Sequence, residues 1–305
     1  FAYVPKAATS INYTDKDGLP SNKIKALFVD SKGYLWIGTN KGLAILDINN
    51  EKIIDLTYIL NNIGMMDKFI RAIYEDSQGN YYIGCFLEGG LIKIDPNTKT
   101  CKIYQNDEHD NYSISNNSIR YITEDLDGNI LVGTSHGINI LDLKTDKFKH
   151  YTENDGLINN TIYGILVDKN NDIWMSTNGG ISKLSVKKST FENFTVADGL
   201  QSNEFNGRAC FKSEDGYMYF GGINGFNVIN IDNVELSIFK PKVIFDNFEI
   251  NGVNKKDISN IELEYNQNNI KIGFFTSDYK NTKTAKYYYK LEGVKSLEEK
   301  WNIAN

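Results

Sequence analysis

An all-β fold, a β-propeller with five visible blade repeats, is predicted by this 305-residue sequence. Five stretches repeat one phrase, in which a turn residue is followed by mostly hydrophobic residues and then by a small residue: 33–39, 79–85, 128–134, 171–177 and 216–222. Successive copies stand about 45 residues apart, a period typical of propeller blades with four short strands each. Their β-branched and aromatic residues favour strands over helices. A blade buries its faces only against its neighbours, so the repeat predicts the whole fold.

The strands of one blade can be predicted in chain order. In the first repeat they are residues 24–29, 34–38, 43–47 and 52–58, with tight turns at 30–33 and 39–42. Gly33 ends the first turn, where hairpins often require a left-handed backbone. The same order surrounds the equivalent turns at 76–79, 125–128, 168–171 and 213–216.

The two ends of the repeat array suggest how the ring closes. Residues 11–13 resemble a fourth strand, while the last blade stops after its third strand at Asn230. We therefore expect residues 11–13 to pair beside 226–231 and to complete a propeller of residues 1–236, which would remove exposed sheet edges. A piece of a larger ring would show the same five units, so both interpretations stay open.

Bulk composition excludes several classes of function. A net charge of −6 argues against a nucleic-acid partner, because phosphate binding requires a basic surface. The sequence shows no apolar run long enough for a spanning helix and no signal peptide. Three cysteines, an odd number, do not predict a disulfide framework.

One column of the repeat is chemically distinctive. Eight places before the turn position, at the start of each innermost strand, the residues are Lys25, Arg71, Arg120, Tyr163 and Arg208. These three arginines are the only ones in the chain. We expect the five side chains to converge around one mouth of the central channel.

The second blade adds two candidates on the same face. Its turn at 85–91 is two residues longer than the equivalent turn of the first blade, and it carries Phe86 and Glu88. Loops on a rigid scaffold often carry function, although an ordinary length variant is the alternative.

Converging guanidinium groups are suited to carboxylate, sulfate or phosphate, because each planar fork donates two parallel hydrogen bonds. The predicted ligand is therefore a small molecule or an oligosaccharide, anionic in the favoured version, bound by Lys25, Arg71, Arg120, Tyr163, Arg208, Phe86 and Glu88. The alternative is that each arginine bridges blades by pairing with an acid, for which Glu75 and Glu124 are candidates.

Catalytic and metal motifs are not evident. His109, His136 and His150 occupy unrelated places of the repeat, so no metal site and no cofactor are predicted. Glycoside hydrolysis needs only two carboxylates, yet no motif pairs any two of Asp67, Glu88, Asp107, Glu108 and Glu204. No catalytic residue is therefore predicted, and a glycan-active enzyme or a dimerisation module stays as the alternative.

Residues 18–43 resemble the propeller repeat of bacterial two-component regulators, and partial copies follow at 155–157 and 198–200. Residues 243–253, 269–275 and 286–293, with Trp301, resemble the three-tyrosine β-sandwich that follows such propellers. This second resemblance implies an incomplete immunoglobulin-like sandwich at 237–305.

The combined resemblance implies the extracytoplasmic sensor of a membrane-bound signalling protein, often a hybrid histidine kinase. In such proteins the ligands are often breakdown products of polysaccharides. The membrane would then be reached only through parts outside this chain, and a homodimer is compatible with a kinase output.

Overall fold

The structure, a computed structural model, divides into two compact units, Phe1–Val234 and Glu235–Asn305, and each is described separately. The described residues are 2–4, 9–65, 68–98, 100–230, 243–255, 261–276, 288–289 and 302–303. The predicted boundary between 236 and 237 lies outside them.

The first unit contains a short strand pair followed by five antiparallel sheets, which we call blades 1 to 5. The pair consists of β1 (Ala2–Val4) and β2 (Thr9–Ile11). Blade 1 comprises β3 (Ile24–Val29), β4 (Tyr34–Thr39), β5 (Leu43–Asp47) and β6 (Lys52–Asp55). Blade 2 comprises β7 (Ile70–Glu75), β8 (Tyr81–Cys85), β9 (Leu91–Asp95) and β10 (Thr100–Tyr104). Blade 3 comprises β11 (Ile119–Glu124), β12 (Ile130–Thr134), β13 (Ile138–Asp142) and β14 (Lys147–Tyr151).

Blade 4 comprises β15 (Ile162–Val167), β16 (Ile173–Thr177), β17 (Ile181–Ser185) and β18 (Thr190–Phe194). Blade 5 has three strands, β19 (Phe205–Lys212), β20 (Tyr217–Gly222) and β21 (Gly225–Asn230). Strands adjacent in sequence are neighbours in every blade. The prediction of an all-β fold with propeller-type blades is confirmed.

Short 3-10 turns lead into blades 1, 4 and 5, at Asp15–Asp17, Glu153–Asp155 and Val196–Asp198. In the first, the Thr14 and Asp17 side chains cap each other's backbone, and Gly18 ends the turn at φ 105°. The left-handed backbone at that position favours glycine, which accounts for the repeated Asp-Gly-Leu signature.

Neighbouring blades pack closely where the second strands of blades 1 to 3 carry glycine. A Cβ on Gly84 would lie 2.6 Å from Cγ2 of Ile119 in the next blade. Equivalent close approaches join Gly38 to Ile70 and Gly133 to Ile162. The glycine in the repeated phrase is therefore required by packing between blades rather than by a turn.

One predicted strand boundary needs correction. The fourth strand of blade 1 ends at Asp55 rather than at residue 58, and helix α1 (Thr57–Asn62) follows. Asp55 explains the change, because its carboxylate accepts a hydrogen bond of 2.8 Å from the backbone N–H of Thr57 and favours a turn.

The predicted pairing of residues 11–13 beside 226–231 is not observed among the described residues, and the closure of the ring stays a prediction. Strand β2 pairs with β1 instead, with Ala2 opposite Ile11. The described sheet of blade 5 has three strands, and Phe226 and Val228 on β21 remain 65% and 47% exposed. On β3 of blade 1, Leu27 and Val29 are exposed as well. Each end blade therefore keeps an uncovered apolar face.

The described part of the second unit is also all-β. An antiparallel sheet contains β22 (Val243–Ile250), β23 (Val253–Asn254) and β24 (Ile270–Thr276), with β22 in the middle. A further pair joins β25 (Tyr288–Tyr289) and β26 (Asn302–Ile303). Tyr287 and Trp301 lie outside the described residues, and the immunoglobulin-like sandwich stays a prediction.

Candidate ligand-binding site

The predicted column coincides with a β-bulge at the start of every innermost strand. In blades 1 to 4 the pairing between first and second strands skips one residue, which is Lys25, Arg71, Arg120 or Tyr163. A bulge leaves the extra residue unpaired and redirects its side chain. The repeated bulge is therefore the device that presents this column.

Blade 5 uses an enlarged version of the bulge. Pairing jumps from Phe205 to Cys210, because Asn206 and Gly207 have no counterpart before the column position in the other blades. Arg208 adopts φ 67°, in the left-handed region that side chains other than glycine rarely occupy. Its Nη1 donates to the carbonyl oxygens of Arg71 (2.9 Å) and Lys25 (3.3 Å). Arg208 thus bridges the inner strands of blades 5, 2 and 1.

The long turn of blade 2 carries Phe86 into the same region. Leu87, Gly89 and Gly90 have φ values of 72°, 125° and 77°. A Cβ on Gly90 would lie 2.1 Å from the carbonyl oxygen of Tyr104, so only glycine fits there. The backbone N–H of Phe86 donates to the carbonyl of Phe69 at 2.8 Å, which fixes the start of the turn.

Two arginines lie against the Phe86 ring. The Cζ atoms of Arg71 and Arg120 lie 4.5 and 5.2 Å from its centroid. Arg120 also lies 5.3 Å from the ring centroid of Tyr163. We call Arg71, Arg120, Phe86 and Tyr163 the arginine–aromatic cluster. Such contacts between guanidinium groups and ring faces stabilise both partners.

Lys25 and Glu88 lie at the margin. Lys25 is exposed, and its ammonium nitrogen lies 5.2 Å from the ring of Phe69, which packs edge-on against Phe86. Glu88 is exposed, and no contact between described residues joins it to an arginine. The ligand-binding roles of all seven candidates remain predictions.

The two acids suggested as arginine partners are used elsewhere. Glu75 accepts hydrogen bonds from the backbone N–H and the hydroxyl of Ser31 in blade 1, at 2.6 and 2.8 Å. Glu124 does the same for Ser77 in blade 2, at 2.8 and 2.7 Å. The bridges between blades are therefore serine–glutamate contacts, and the version of the alternative that paired these acids with arginine is wrong.

The electrostatic environment of the cluster is unfavourable to unpaired cations. Burial lowers the pKa of Arg71. Burial, and next the positive charge of Arg71, lower the pKa of Arg120. Among the described residues, no carboxylate lies within ion-pair distance of either guanidinium.

Sequence reasoning missed three contributors to this region. Ser135 accepts a hydrogen bond of 2.9 Å from Nε of Arg120. Gly207 packs against Arg71, since a Cβ there would lie 3.0 Å from Nη2. Phe69 supports Phe86. Of these three, only Gly207 could have been noticed in the sequence, because it is an extra residue relative to the other repeats.

Other candidate features lie apart from the cluster. The long loop before blade 3 folds onto its own outer strand, where Lys147 lies 4.1 Å from the ring of Tyr112. Cavities of about 600 and 530 Å³ are lined by other residues, the first beneath α1 with Trp36 and Tyr81. The part of the chain that the structure describes holds no cluster of three or more potential metal ligands.

Comparison with known proteins assigns the repeats. The family model described as "Two component regulator propeller" matches residues 18–41, 64–86 and 156–179, in blades 1, 2 and 4. The chain carries two-component regulator propeller repeats. A histidine kinase of Formosa agariphila is 24% identical over 96% of this chain, which spans only 19% of that relative's length.

Solved structures similar to this chain include an extracellular domain of a putative hybrid two-component system from B. thetaiotaomicron. That domain is 27% identical, with a TM-score of 0.66, over 92% of this chain and 39% of the other. A virginiamycin B lyase from Staphylococcus aureus is 16% identical, with a TM-score of 0.55, over 69% and 67% of the two chains, and shows likeness of fold alone. In the described part of our chain, no helix combines the length and apolar character that crossing a bilayer requires.

Proposed function

We propose that this chain is a non-catalytic, extracytoplasmic ligand-input region of a bacterial membrane signalling protein, of the two-component histidine kinase type. The regulator propeller repeats and the similarity to an extracellular domain of a hybrid two-component system support this proposal. The histidine kinase relative is about five times as long as the chain, so the kinase output belongs to the proposal as well.

One observation supports a binding role above all. Bulges at equivalent places of successive blades present basic and aromatic side chains toward each other, and no described carboxylate neutralises the arginines. A purely structural column would be expected to satisfy its charges internally. The proposed ligand is derived from a carbohydrate, because guanidinium groups bind its anionic substituents and aromatic faces stack on sugar rings.

Signalling requires more than binding. The ligand must favour one of two arrangements of the receptor, since equal affinity for both shifts nothing. In our proposal the second unit transmits that preference toward a membrane helix outside this chain, within a homodimer.

A screen of neutral, acidic and sulfated oligosaccharides by thermal shift tests the proposal. A ligand at 100 times its dissociation constant stabilises the folded state by about 2.7 kcal/mol, so a binding oligosaccharide raises the melting temperature. The same mixtures are then analysed by mass spectrometry, and we expect the oligosaccharide to be recovered intact. Cleavage products would establish the glycan-active enzyme instead, and no shift with any glycan would contradict the proposed ligand class.

A further inference from the structure

Arg71 and Arg120 form a pair of like charges whose hydrogen-bonding capacity is largely unused. Nε of Arg120 donates to Ser135, which leaves its two terminal nitrogens without a described acceptor. The Arg71 guanidinium has no described hydrogen-bond acceptor at all, and lies against Phe86 and Gly207. Ten donors lie on two guanidinium groups, so the described residues leave most of them available to a ligand.

The pair is held in place rather than free to separate. Both side chains arise from bulges of adjacent innermost strands, and both lie against the same Phe86 ring. The Arg71 backbone is fixed further by Arg208, which donates to its carbonyl oxygen. Half-buried like charges that cannot move apart repel each other, and an anion between them would remove that repulsion.

The surrounding groups narrow the anion to one class. Phe86 and Tyr163 lie beside the guanidinium groups and are only partly buried, and no described carboxylate is close enough to compete for the arginines. A sugar ring carrying one oxyanion would place its charge on the guanidinium groups and its apolar face of C–H bonds against an aromatic ring.

We propose that Arg71 and Arg120 together bind a single carboxylate or sulfate group carried by a pyranose sugar, with Phe86 and Tyr163 beside the sugar ring. That the anionic group is carried by a sugar rests on the proposed function. The oxyanion subsite itself rests only on the arrangement of Arg71 and Arg120. Arg208 and Lys25 lie outside the subsite: the first bridges strands, and the second contacts Phe69.

Calorimetric titration of the full chain tests the subsite with four probes: sodium sulfate, methyl glucuronide, a methyl glucoside sulfate and neutral methyl glucoside. We expect the sugar anions to bind more tightly than sulfate, and the neutral glucoside to bind at least tenfold more weakly than either sugar anion. The relative affinity of carboxylate and sulfate then identifies the substituent. Rising salt weakens binding, since chloride screens the interaction.

Three variants separate a binding role from a structural one. Arg120→Ala should lower anion affinity 10-fold to 100-fold, while the melting temperature of the unliganded chain changes little because the lost repulsion offsets the lost ring contacts and the lost hydrogen bond to Ser135. Gly207→Ala keeps both charges but displaces the Arg71 guanidinium, and should weaken binding by severalfold. Lys32→Ala, in an exposed turn, removes one positive charge as a matched control and should leave affinity unchanged.

The outcomes distinguish this subsite from the proposed function. Equal anion affinity in the wild type and Arg120→Ala would overturn the subsite. Binding of neutral oligosaccharides with no response to any anion would overturn it while leaving the proposed function standing. Anion binding that depends on Arg120, without binding of any oligosaccharide in the wider screen, would support the subsite and contradict the proposed sensor of carbohydrates.

Discussion

Asp30 shows how a single turn residue connects two blades. Its carboxylate accepts hydrogen bonds from Trp36 Nε1 (2.8 Å) and the backbone N–H of Tyr34 (2.8 Å) within blade 1, and from the Tyr81 hydroxyl (3.1 Å) of blade 2. Burial alone would raise the pKa of Asp30, but these hydrogen bonds outweigh it and hold the pKa below its usual value. The ionised Asp30 carboxylate therefore helps to hold blades 1 and 2 together.

We expect Asp30→Asn to destabilise the folded state by about 2 kcal/mol at neutral pH, because hydrogen bonds to an ionised acceptor are lost. The folded-state pKa lies below the unfolded value of about 4. The stabilisation is therefore present above about pH 4 and is lost as pH falls through the folded-state pKa. Urea denaturation at several pH values measures this difference.

Tyr81→Phe is the matched control, because it removes only the contact between blades and should cost about 1 kcal/mol. A destabilisation by Asp30→Asn that stays constant from pH 7 down to pH 3 would show that its charge is not what stabilises the turn.

At the scale of the element, the second strand of each blade limits how closely the next blade can approach. Gly84 on β8 lies against Ile119. In blade 4 the equivalent position is Ser176, and the facing residue on the first strand is Gly164, so the space for a side chain is created on the other strand. Glycine and serine at this repeat position thus satisfy the same constraint, which is the limited space between the first and second strands and the next blade.

Gly84→Ala should destabilise the propeller unit by about 1–3 kcal/mol, since the new methyl group overlaps Ile119. Ser176→Ala is the control at the same place in blade 4. The Ser176 hydroxyl is buried without a hydrogen-bond partner among the described residues, so its removal should be neutral or stabilising by up to about 1 kcal/mol. Urea denaturation compares both variants with the wild type, and a neutral Gly84→Ala would show that the blades can separate without cost.

At the scale of the whole molecule, the decisive feature is the pair of end blades with uncovered apolar faces. Phe226 on the third strand of blade 5 is 65% exposed, whereas Phe220 on the second strand is fully buried. If the N-terminal strand closed the ring beside β21, residues on that edge would lose much of this exposure.

In the chain of residues 1–305, Phe226→Ser should change the free energy of unfolding by no more than about 0.5 kcal/mol, as expected of an exposed position. Phe220→Ala should cost about 3–5 kcal/mol, because it leaves a cavity in the core of blade 5. A large loss of stability in Phe226→Ser would indicate that this face is covered in solution, and would support the predicted closure of the ring.

The sequence by itself determined the blade count, the order of strands and the column of Lys25, Arg71, Arg120, Tyr163 and Arg208. These features are periodic, and local patterns of turn residues and hydrophobic residues repeat with the period of the structure. The common bulge could not be read from sequence, yet the column could, because every blade places the bulge at the same distance from its turn.

Only the tertiary structure decided where non-periodic contacts form. It placed Arg71 and Arg120 against the same Phe86 ring, assigned Glu75 and Glu124 to serines of preceding blades, and made Arg208 a bridge between strands. It also paired β2 with β1 instead of β21. Each of these contacts joins groups whose distance depends on how blades or termini pack, and a pattern along one segment carries no information about its partner in space.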